Sequence, residues 1–285
     1  MSNPEGDLSQ FINREGKNPD DVVSVVMAGV HGNETAGIKA FDILLPELNI
    51  EHGTVIFAYG NPRAMAEGTR FSSGGANLNG LFRPDEELTE KQRRSYEYER
   101  AQQLKPVLLR AGALNDIHGT QNPNSVKFVI AEPGKPLEIA RRLPFDIISS
   151  GYDEWQPGGT DHFMNANGRI GICSETGPNN DPRSVDVAIR SITDFLVARG
   201  HVTGQLQERE NQRHIAVKEM HIAKDEFRYV RQFPEFAPVR KGDLIGMEAG
   251  QEIKASGDGY LIFTSQMVVP VGDEAFLFGQ DAPLT

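Results

Sequence analysis

Between residues 22 and about 200, short apolar segments alternate with longer segments in which apolar and polar positions are mixed. The apolar segments are rich in Val and Ile, as buried strands are, and cover residues 22–28, 54–59, 113–117, 126–131, 145–149 and 169–174. The mixed segments predict helices over residues 34–45, 86–110, 136–142 and 182–199. Because strands that alternate with helices build sheets covered on both faces, the pattern predicts an α/β fold.

Proline and glycine refine two of these helices. Asp181 is a suitable N-cap ahead of Pro182 at the first helical position, and Gly200 follows as the C-terminal cap. Pro106 lies within the long segment 86–110, where a residue without an N–H is expected to kink or divide the helix.

The pattern changes after Gly204. Turn signals at 241–243, 249–250 and 256–259 separate short strand-like segments, which cover residues 213–221, 227–232, 243–247, 259–264 and 274–278. No helical period recurs there. We therefore predict two domains, an α/β domain over residues 1–204 and a smaller C-terminal β domain over residues 205–285.

Composition narrows the class of protein. The chain has 285 residues and a formal net charge of −11, which argues against non-specific binding to nucleic acid or anionic membranes. No apolar run is long enough to span a bilayer, and residues 1–20 lack the apolar core of a signal peptide. A single cysteine, Cys173, excludes an intrachain disulfide and fits a reducing compartment, so we expect a cytoplasmic protein. The sequence leaves open whether it forms a homo-oligomer.

Three potential metal ligands follow predicted strands. His31 and Glu34 lie on a glycine-flanked turn after strand 22–28, and His118 closes strand 113–117. In open α/β sheets, ligands gather at the carboxyl ends of the strands. Two imidazoles and one carboxylate, with a fourth position left to water, are the inner ligands of a hydrolytic zinc site. The pattern therefore predicts one Zn²⁺ per chain.

Each of these residues also has a simpler interpretation. A histidine beside a strand is more often a hydrogen-bonded structural residue than a ligand. Glu34 also precedes a predicted helix, where a carboxylate is favoured by the helix dipole. The shared position of the three residues after strands favours the metal site.

Hydrolysis further requires a base and a cation for the developing oxyanion. Glu175 follows strand 169–174 and is the best candidate for the base; a solvated acid at a helix start is the alternative. Arg63, Arg70 and Arg83 lie in the loop after strand 54–59, where guanidinium groups would suit a carboxylate or an oxyanion unless they simply face solvent.

The ordered motifs resemble those of the succinylglutamate desuccinylase/aspartoacylase family, which belongs to the zinc carboxypeptidase-like group. They are His-Gly-Asn-Glu (31–34), Asn-Pro-Arg-Ala (61–64), Thr-Arg-Phe (69–71), Asn-Leu-Asn (77–79), Asp-Ile-His (116–118) and Glu-Thr-Gly-Pro (175–178). The resemblance implies a zinc carboxypeptidase-like mixed sheet followed by a smaller β domain. It also implies that His31, Glu34 and His118 bind zinc, that Glu175 activates water and that Arg70 polarises the scissile carbonyl.

The chain departs from the family where the substrate binds. The family commonly has Asp-Leu-Asn-Arg, in which the Asn and Arg hold a substrate carboxylate, whereas this chain has Asn79 followed by Gly80. Either Arg63 or Arg83 takes the place of the missing guanidinium, or the substrate lacks that carboxylate. Residues 274–276 also lack the hydroxyl that a family tyrosine offers the substrate.

These observations favour a zinc-dependent hydrolase that cleaves the amide bond of a small N-acyl amino acid or a related compound. A carboxypeptidase-like metallopeptidase and a non-catalytic metal-binding or ligand-binding relative are the alternatives. The expected partner is a small-molecule substrate, with neither nucleic acid nor membrane. The acyl group and the amine are not determined by the sequence.

Overall fold

A sheet of eleven strands runs through the computed structural model, which describes residues 11–120, 122–207, 209–264 and 266–284. A second sheet has four strands. The strands are β1 (Phe11–Glu15), β2 (Val23–Ala28), β3 (Thr54–Tyr59), β4 (Ala113–Thr120), β5 (Phe128–Ala131), β6 (Ile147–Ser150), β7 (Ile170–Pro178), β8 (Arg213–Ile222), β9 (Phe227–Tyr229), β10 (Ala237–Val239), β11 (Leu244–Glu248), β12 (Gln251–Lys254), β13 (Gly259–Ile262), β14 (Val268–Val269) and β15 (Glu274–Ala282).

Helices connect most strands of the first half. They are α1 (Ala36–Leu44), α2 (Pro62–Glu67), α3 (Glu90–Arg93), α4 (Tyr96–Arg110), α5 (Lys135–Ala140), α6 (Tyr152–Trp155), α7 (Thr160–Ala166) and α8 (Arg183–Ala198). Single turns of 3₁₀ helix cover Leu78–Gly80 and Asp85–Glu87. None of the helices in the described ranges has the length and apolar composition needed to cross a bilayer.

The large sheet is mixed. Its order is β1-β3-β2-β4-β7-β5-β6-β8-β15-β13-β10. Strands β3, β2, β4 and β7 are parallel to one another, whereas β5 is antiparallel to β7 and parallel to β6. The parallel part places the carboxyl ends of β2, β4 and β7 at one edge, where the predicted ligands lie.

Both faces of the sheet are covered by helices. Val26 packs in a core with Phe41 of α1 and Phe195 of α8, whereas the neighbouring Val25 packs in a different core with Leu104 of α4. Successive residues of a strand point to opposite faces, so the two cores lie on the two sides of the sheet. This arrangement confirms the predicted α/β fold.

The C-terminal part extends the large sheet and adds the small one. Strand β8 pairs in parallel with β6, and β15, β13 and β10 follow it in the same sheet. The small sheet, β12-β11-β9-β14, shares an apolar core with β15 of the large sheet, which contains Phe227 of β9 and Phe276 of β15. The predicted boundary at 204/205 falls between α8 and β8, but the hydrogen bonds of the large sheet cross it. The division into two domains stays a prediction.

Several predicted element boundaries differ from the structure, and two of the differences have an evident physical cause. The long helix 86–110 is divided at Arg94–Ser95, not at Pro106, because the Ser95 hydroxyl accepts the Tyr98 N–H and starts α4 anew. Pro106 lies inside α4 on its exposed side, where water can reach the carbonyl that lacks an N–H partner. Strand β7 continues past residue 174 to Pro178, because it keeps pairing with β4.

The ends of α8 are close to the prediction. Its N-cap is Pro182 rather than Asp181, although the Asp181 carboxylate accepts the Arg183 N–H at 2.9 Å. Gly200, with φ of +76°, follows the C-cap residue and ends the helix in the left-handed conformation.

Candidate metal centre and its cavity

The turn after β2 presents His31 and Glu34 at the carboxyl edge of the large sheet. Gly29 adopts a φ of +71°, which turns the chain directly after the strand. At Gly32 a Cβ would lie 2.0 Å from the Ala64 carbonyl carbon, so only glycine allows α2 to pack this closely. The local sequence thus fixes the turn that brings the two side chains together.

The two other candidates lie on neighbouring strands. His118 of β4 is the register partner of Glu175 of β7, so both project at the same height of the sheet. The apolar pattern predicted that Glu175 follows the end of the strand. In the structure it is a residue of the strand itself. Pairing between parallel strands brings a candidate ligand and the candidate base side by side.

The three predicted ligands converge. His31 Nδ1 lies 2.8 Å from Glu34 Oε1, and His118 Nδ1 lies 3.0 Å from Glu34 Oε2. The two imidazole centroids are 5.1 Å apart, and each of the three residues offers a ligand atom within 4.8 Å of the others. All three side chains are buried, each 3% exposed.

The outer nitrogen of each imidazole faces an oxygen atom. His31 Nε2 donates to Asn77 Oδ1 at 3.0 Å, whereas His118 Nε2 lies 3.2 Å from Asp116 Oδ2 and makes no hydrogen bond to the described residues. In the metal-bound state, a proton on each Nε2 would leave both Nδ1 lone pairs free to bind the ion beside the Glu34 carboxylate. The donor set therefore fits a divalent metal ion bound through two nitrogens and one carboxylate.

The charges of the centre are strongly coupled. Burial would raise the pKa of Glu34, but His31 and His118 outweigh it and hold that pKa well below its usual range. Burial would lower the pKa of His118, but Asp116 and Glu34 raise it well above the usual value. Burial lowers the pKa of His31. The buried carboxylate thus stays ionised and ready to bind a cation.

Arg70 and Glu175 flank the three ligands. Arg70 Nη1 donates to Glu34 Oε1 at 3.0 Å, and the side chain is 47% exposed, so its remaining N–H groups are free for a ligand in the cavity. Burial raises the pKa of Glu175, His118 and Arg70 oppose the rise, and Glu34 and Glu235 add to it, which gives a pKa of about 8. A carboxyl group tuned towards neutral pH is suited to proton transfer.

These residues line one cavity of about 520 Å³. Asn79 lines it as well, but Arg63 and Arg83 do not. The Arg63 guanidinium lies over the Tyr96 ring, 4.1 Å from its centroid, and Arg83 Nε donates to the Gly80 carbonyl. The expectation that either arginine reaches the site is therefore corrected, because each is held elsewhere by its own contact.

No role was predicted from the sequence for several residues that lie beside the centre or line its cavity. Asp116 precedes His118 by two residues on a strand, so both share a face, and that spacing could have identified it. Tyr152 and Glu235 also line the cavity, although they belong to segments far along the chain. No local motif marks these two residues.

Comparison with known proteins identifies the family. Residues 22–185, more than half of the 285 residues, match the succinylglutamate desuccinylase/aspartoacylase catalytic domain. The chain belongs to this family. The membership confirms the resemblance that the ordered motifs indicated.

Two curated members of the succinylglutamate desuccinylase/aspartoacylase family are similar in sequence. The succinylglutamate desuccinylase of Pseudoalteromonas atlantica is 25% identical over 295 aligned positions, which cover 90% of this chain and 81% of that protein. The succinylglutamate desuccinylase of Shewanella piezotolerans is 40% identical over 76 positions, or 25% of this chain and 21% of that protein.

Solved structures share the fold. A succinylglutamate desuccinylase/aspartoacylase from Rhodobacter sphaeroides has a TM-score of 0.74 at 20% identity, with 96% of this chain and 89% of that chain covered. A succinylglutamate desuccinylase from Vibrio parahaemolyticus has a TM-score of 0.77 at 16% identity, with 96% and 86% covered. The product-bound ectoine utilization protein EutE (DoeB) from Ruegeria pomeroyi has a TM-score of 0.71 at 19% identity, with 95% and 88% covered.

Proposed function

We propose that this protein is a zinc-dependent hydrolase that cleaves the amide bond of a small N-acyl amino acid or a related compound. The observation that carries the proposal is the convergence of His31, Glu34 and His118 in one cavity with Glu175 and Arg70. The family to which the chain belongs and the names of its relatives support a deacylase. The free, buried Cys173 supports a cytoplasmic location.

Zinc would be held by His31, Glu34 and His118, and when bound it supplies a Lewis acid that lowers the pKa of water to about 7. Glu175 takes a proton from the attacking water while the oxygen of that water forms a bond to the scissile carbonyl carbon. Arg70 holds the negative charge that develops on the former carbonyl oxygen. The C–N bond then breaks, and Glu175 returns the proton to the leaving nitrogen. The products are a carboxylic acid and an amine.

The size of the cavity favours a small substrate. Glu235, Phe263 and Glu274 of the C-terminal part line the cavity together with the residues of the metal centre. A closed wall on that side leaves little room for an extended peptide. This observation favours the deacylase over a carboxypeptidase-like enzyme.

The proposal predicts about one zinc ion per chain and hydrolysis of at least one small N-acyl compound. Metal content is measured on the purified protein by mass spectrometry, and hydrolysis is followed on a panel of N-acyl amino acids, N-acyl amines and short peptides. Zinc-loaded protein without turnover of any member would instead support a non-catalytic relative. Release of C-terminal residues from the peptides would support the carboxypeptidase-like enzyme.

A change at Asp116 should weaken zinc binding without removing a ligand. Asp116→Asn replaces the charged acceptor that faces His118 Nε2, and the loss of such a partner typically costs about 10- to 100-fold in metal affinity. Competition with a chelator of known affinity measures the change. Asp186→Asn, at an exposed position of α8, is the matched control and should leave the affinity unchanged. Equal affinities for the two variants would contradict the role of Asp116.

A further inference from the structure

The cavity is lined by more acidic than basic side chains. Among the described residues that line it, Arg70 carries the one guanidinium group, and none is a lysine. The carboxyl groups that line it are those of Glu34, Asp153, Asp161, Glu175, Glu235 and Glu274. Even with a divalent ion bound, six carboxyl groups exceed the three positive charges of metal and arginine.

Four of these carboxyl groups have no part in the proposed chemistry, and two of the four, Glu235 and Glu274, come from the C-terminal part of the chain. Glu235 is 7% exposed, and its one hydrogen-bond donor among the described residues is the Phe263 N–H, at 2.7 Å from Oε1. Glu274 accepts from the Gln156 amide. Within the described ranges, neither has a basic side chain within 4.0 Å. Both are thus buried or half-buried acids that lack a counter-ion.

Both acids are harder to ionise than a free carboxyl group. Burial raises the pKa of Glu235, the Phe263 N–H opposes the rise and the nearby Glu274 adds to it, which gives a pKa of about 7. Burial likewise raises the pKa of Glu274, although Arg70 opposes this shift. Buried acids are costly unless they are paired, and a cation between them would restore both ionised forms.

A buried hydroxyl without a partner lies beside the acids. Tyr152 lines the same cavity and is 4% exposed, yet its hydroxyl makes no hydrogen bond to any described residue. Burial raises the pKa of Tyr152 well above its usual value; the nearby Ser149 side chain opposes this rise, and the charges of Glu235, Glu175 and Glu274 add to it. A buried hydroxyl that lacks a partner is costly, which indicates that a ligand supplies one.

Apart from Arg70, no arginine in the described part of the chain is available in the cavity to hold a second carboxylate of a substrate. Arg63 and Arg83 are bound outside the cavity, and glycine occupies position 80. Packing does not require that glycine, because a Cβ there would meet no atom within 4 Å. A second carboxylate on the substrate would therefore face Glu235 and Glu274 without a guanidinium clamp.

We propose that the substrate is an amide that carries a free ammonium group away from the scissile bond, as an N-acylated diamine or diamino acid does. The ammonium group binds between Glu235 and Glu274, and the Tyr152 hydroxyl accepts one of its N–H groups. This inference rests on the proposed hydrolase function, whose metal centre holds the other end of the molecule.

A matched series of amides tests the charge preference. N-acetyl-1,4-diaminobutane, N-pentylacetamide and 5-acetamidopentanoate have the same scissile amide and end in an ammonium, a methyl and a carboxylate group, respectively. We expect kcat/KM of the zinc-loaded protein to be at least about tenfold higher for the ammonium compound than for either other compound. Equal or better turnover of the neutral or anionic compound would overturn the inference and leave the hydrolase function standing.

Variants assign the preference to the proposed residues. Glu235→Gln keeps an oxygen for the Phe263 N–H but removes the charge, and should lower the ammonium-to-methyl ratio of kcat/KM by about tenfold. Glu252→Gln, on the exposed strand β12, is the control and should leave the ratio unchanged. A ratio that survives both Glu235→Gln and Glu274→Gln would contradict the location of the ammonium site.

A binding measurement separates this inference from the hydrolase function. Calorimetry on the zinc-loaded protein should show pentylamine, which ends in an ammonium group, binding at least about tenfold more tightly than 1-hexanol, with the difference lost in Glu235→Gln. This result with no turnover of any amide would leave the cation site standing and overturn the hydrolase. Equal binding of the amine and the alcohol would overturn the cation site, whatever the turnover.

Discussion

Glu175→Gln is expected to lower kcat by about 100- to 10,000-fold while zinc content stays at the wild-type level, because the variant loses only the proton-transfer group. Glutamine has the same shape as glutamate but cannot take a proton from water. Glu175 is not among His31, Glu34 and His118, although it could form a second set of donors with His118 and Cys173, so the zinc content of the variant also tests which set binds the ion. Single-turnover rates and metal analysis of the same preparation measure the two effects together.

The matched control is Glu47→Gln, an exposed substitution that follows α1. It should change neither the rate nor the zinc content. Wild-type turnover by Glu175→Gln would remove Glu175 from the proposed mechanism, and a loss of zinc together with turnover would make it a ligand instead.

The parts of the centre that the sequence predicts best are encoded by short segments. His31 and Glu34 are three residues apart on one turn, and Gly32 is the residue that lets that turn pack against Ala64. His118 ends an apolar strand, and the rule that ligands gather at carboxyl ends of strands placed it near the pair. Local spacing and one rule about the fold were thus enough to predict that these three side chains lie close together.

The environment of Glu175 depends on the sheet order. Strand β7 is adjacent to β4, although two strands lie between them in sequence. The apolar pattern ended the strand at residue 174, because the polar residues that follow carry no period-two signal. Pairing with β4 extends the strand, and this non-local contact decides where the Glu175 side chain lies.

The residues on the C-terminal side of the cavity could not be predicted from the sequence, because non-local strand pairing brings them together as well. Tyr152, Glu235 and Glu274 come from α6, the link before β10 and the start of β15, and they meet only because β8 and β15 extend the large sheet. Likewise, three arginines in one loop looked equivalent, whereas contacts made elsewhere hold Arg63 and Arg83 outside the cavity. Specificity residues here are set by tertiary contacts.

Removal of the metal or of its central ligand should abolish activity. The Glu34 carboxylate contacts every other group of the centre. Its two oxygens face the Nδ1 atoms of both histidine ligands, the Arg70 guanidinium and the Gly119 N–H. A chelator should abolish turnover of the wild-type protein, and added zinc should restore it. Zinc should not restore turnover of Glu34→Ala, because two imidazoles alone leave the buried cation without a compensating carboxylate.

Thermal unfolding distinguishes a lost ligand from a merely damaged site. A ligand present at 100 times its Kd stabilises the folded state by about 2.7 kcal/mol, so saturating zinc should raise the Tm of the metal-free wild type by about 5 to 10 °C. Glu274→Ala removes a carboxylate of the same cavity that is not among the three ligands and should keep this rise, whereas Glu34→Ala should lose it. A zinc-induced rise of the wild-type size in Glu34→Ala would show that the cation binds elsewhere, and the proposed metal centre would then be wrong.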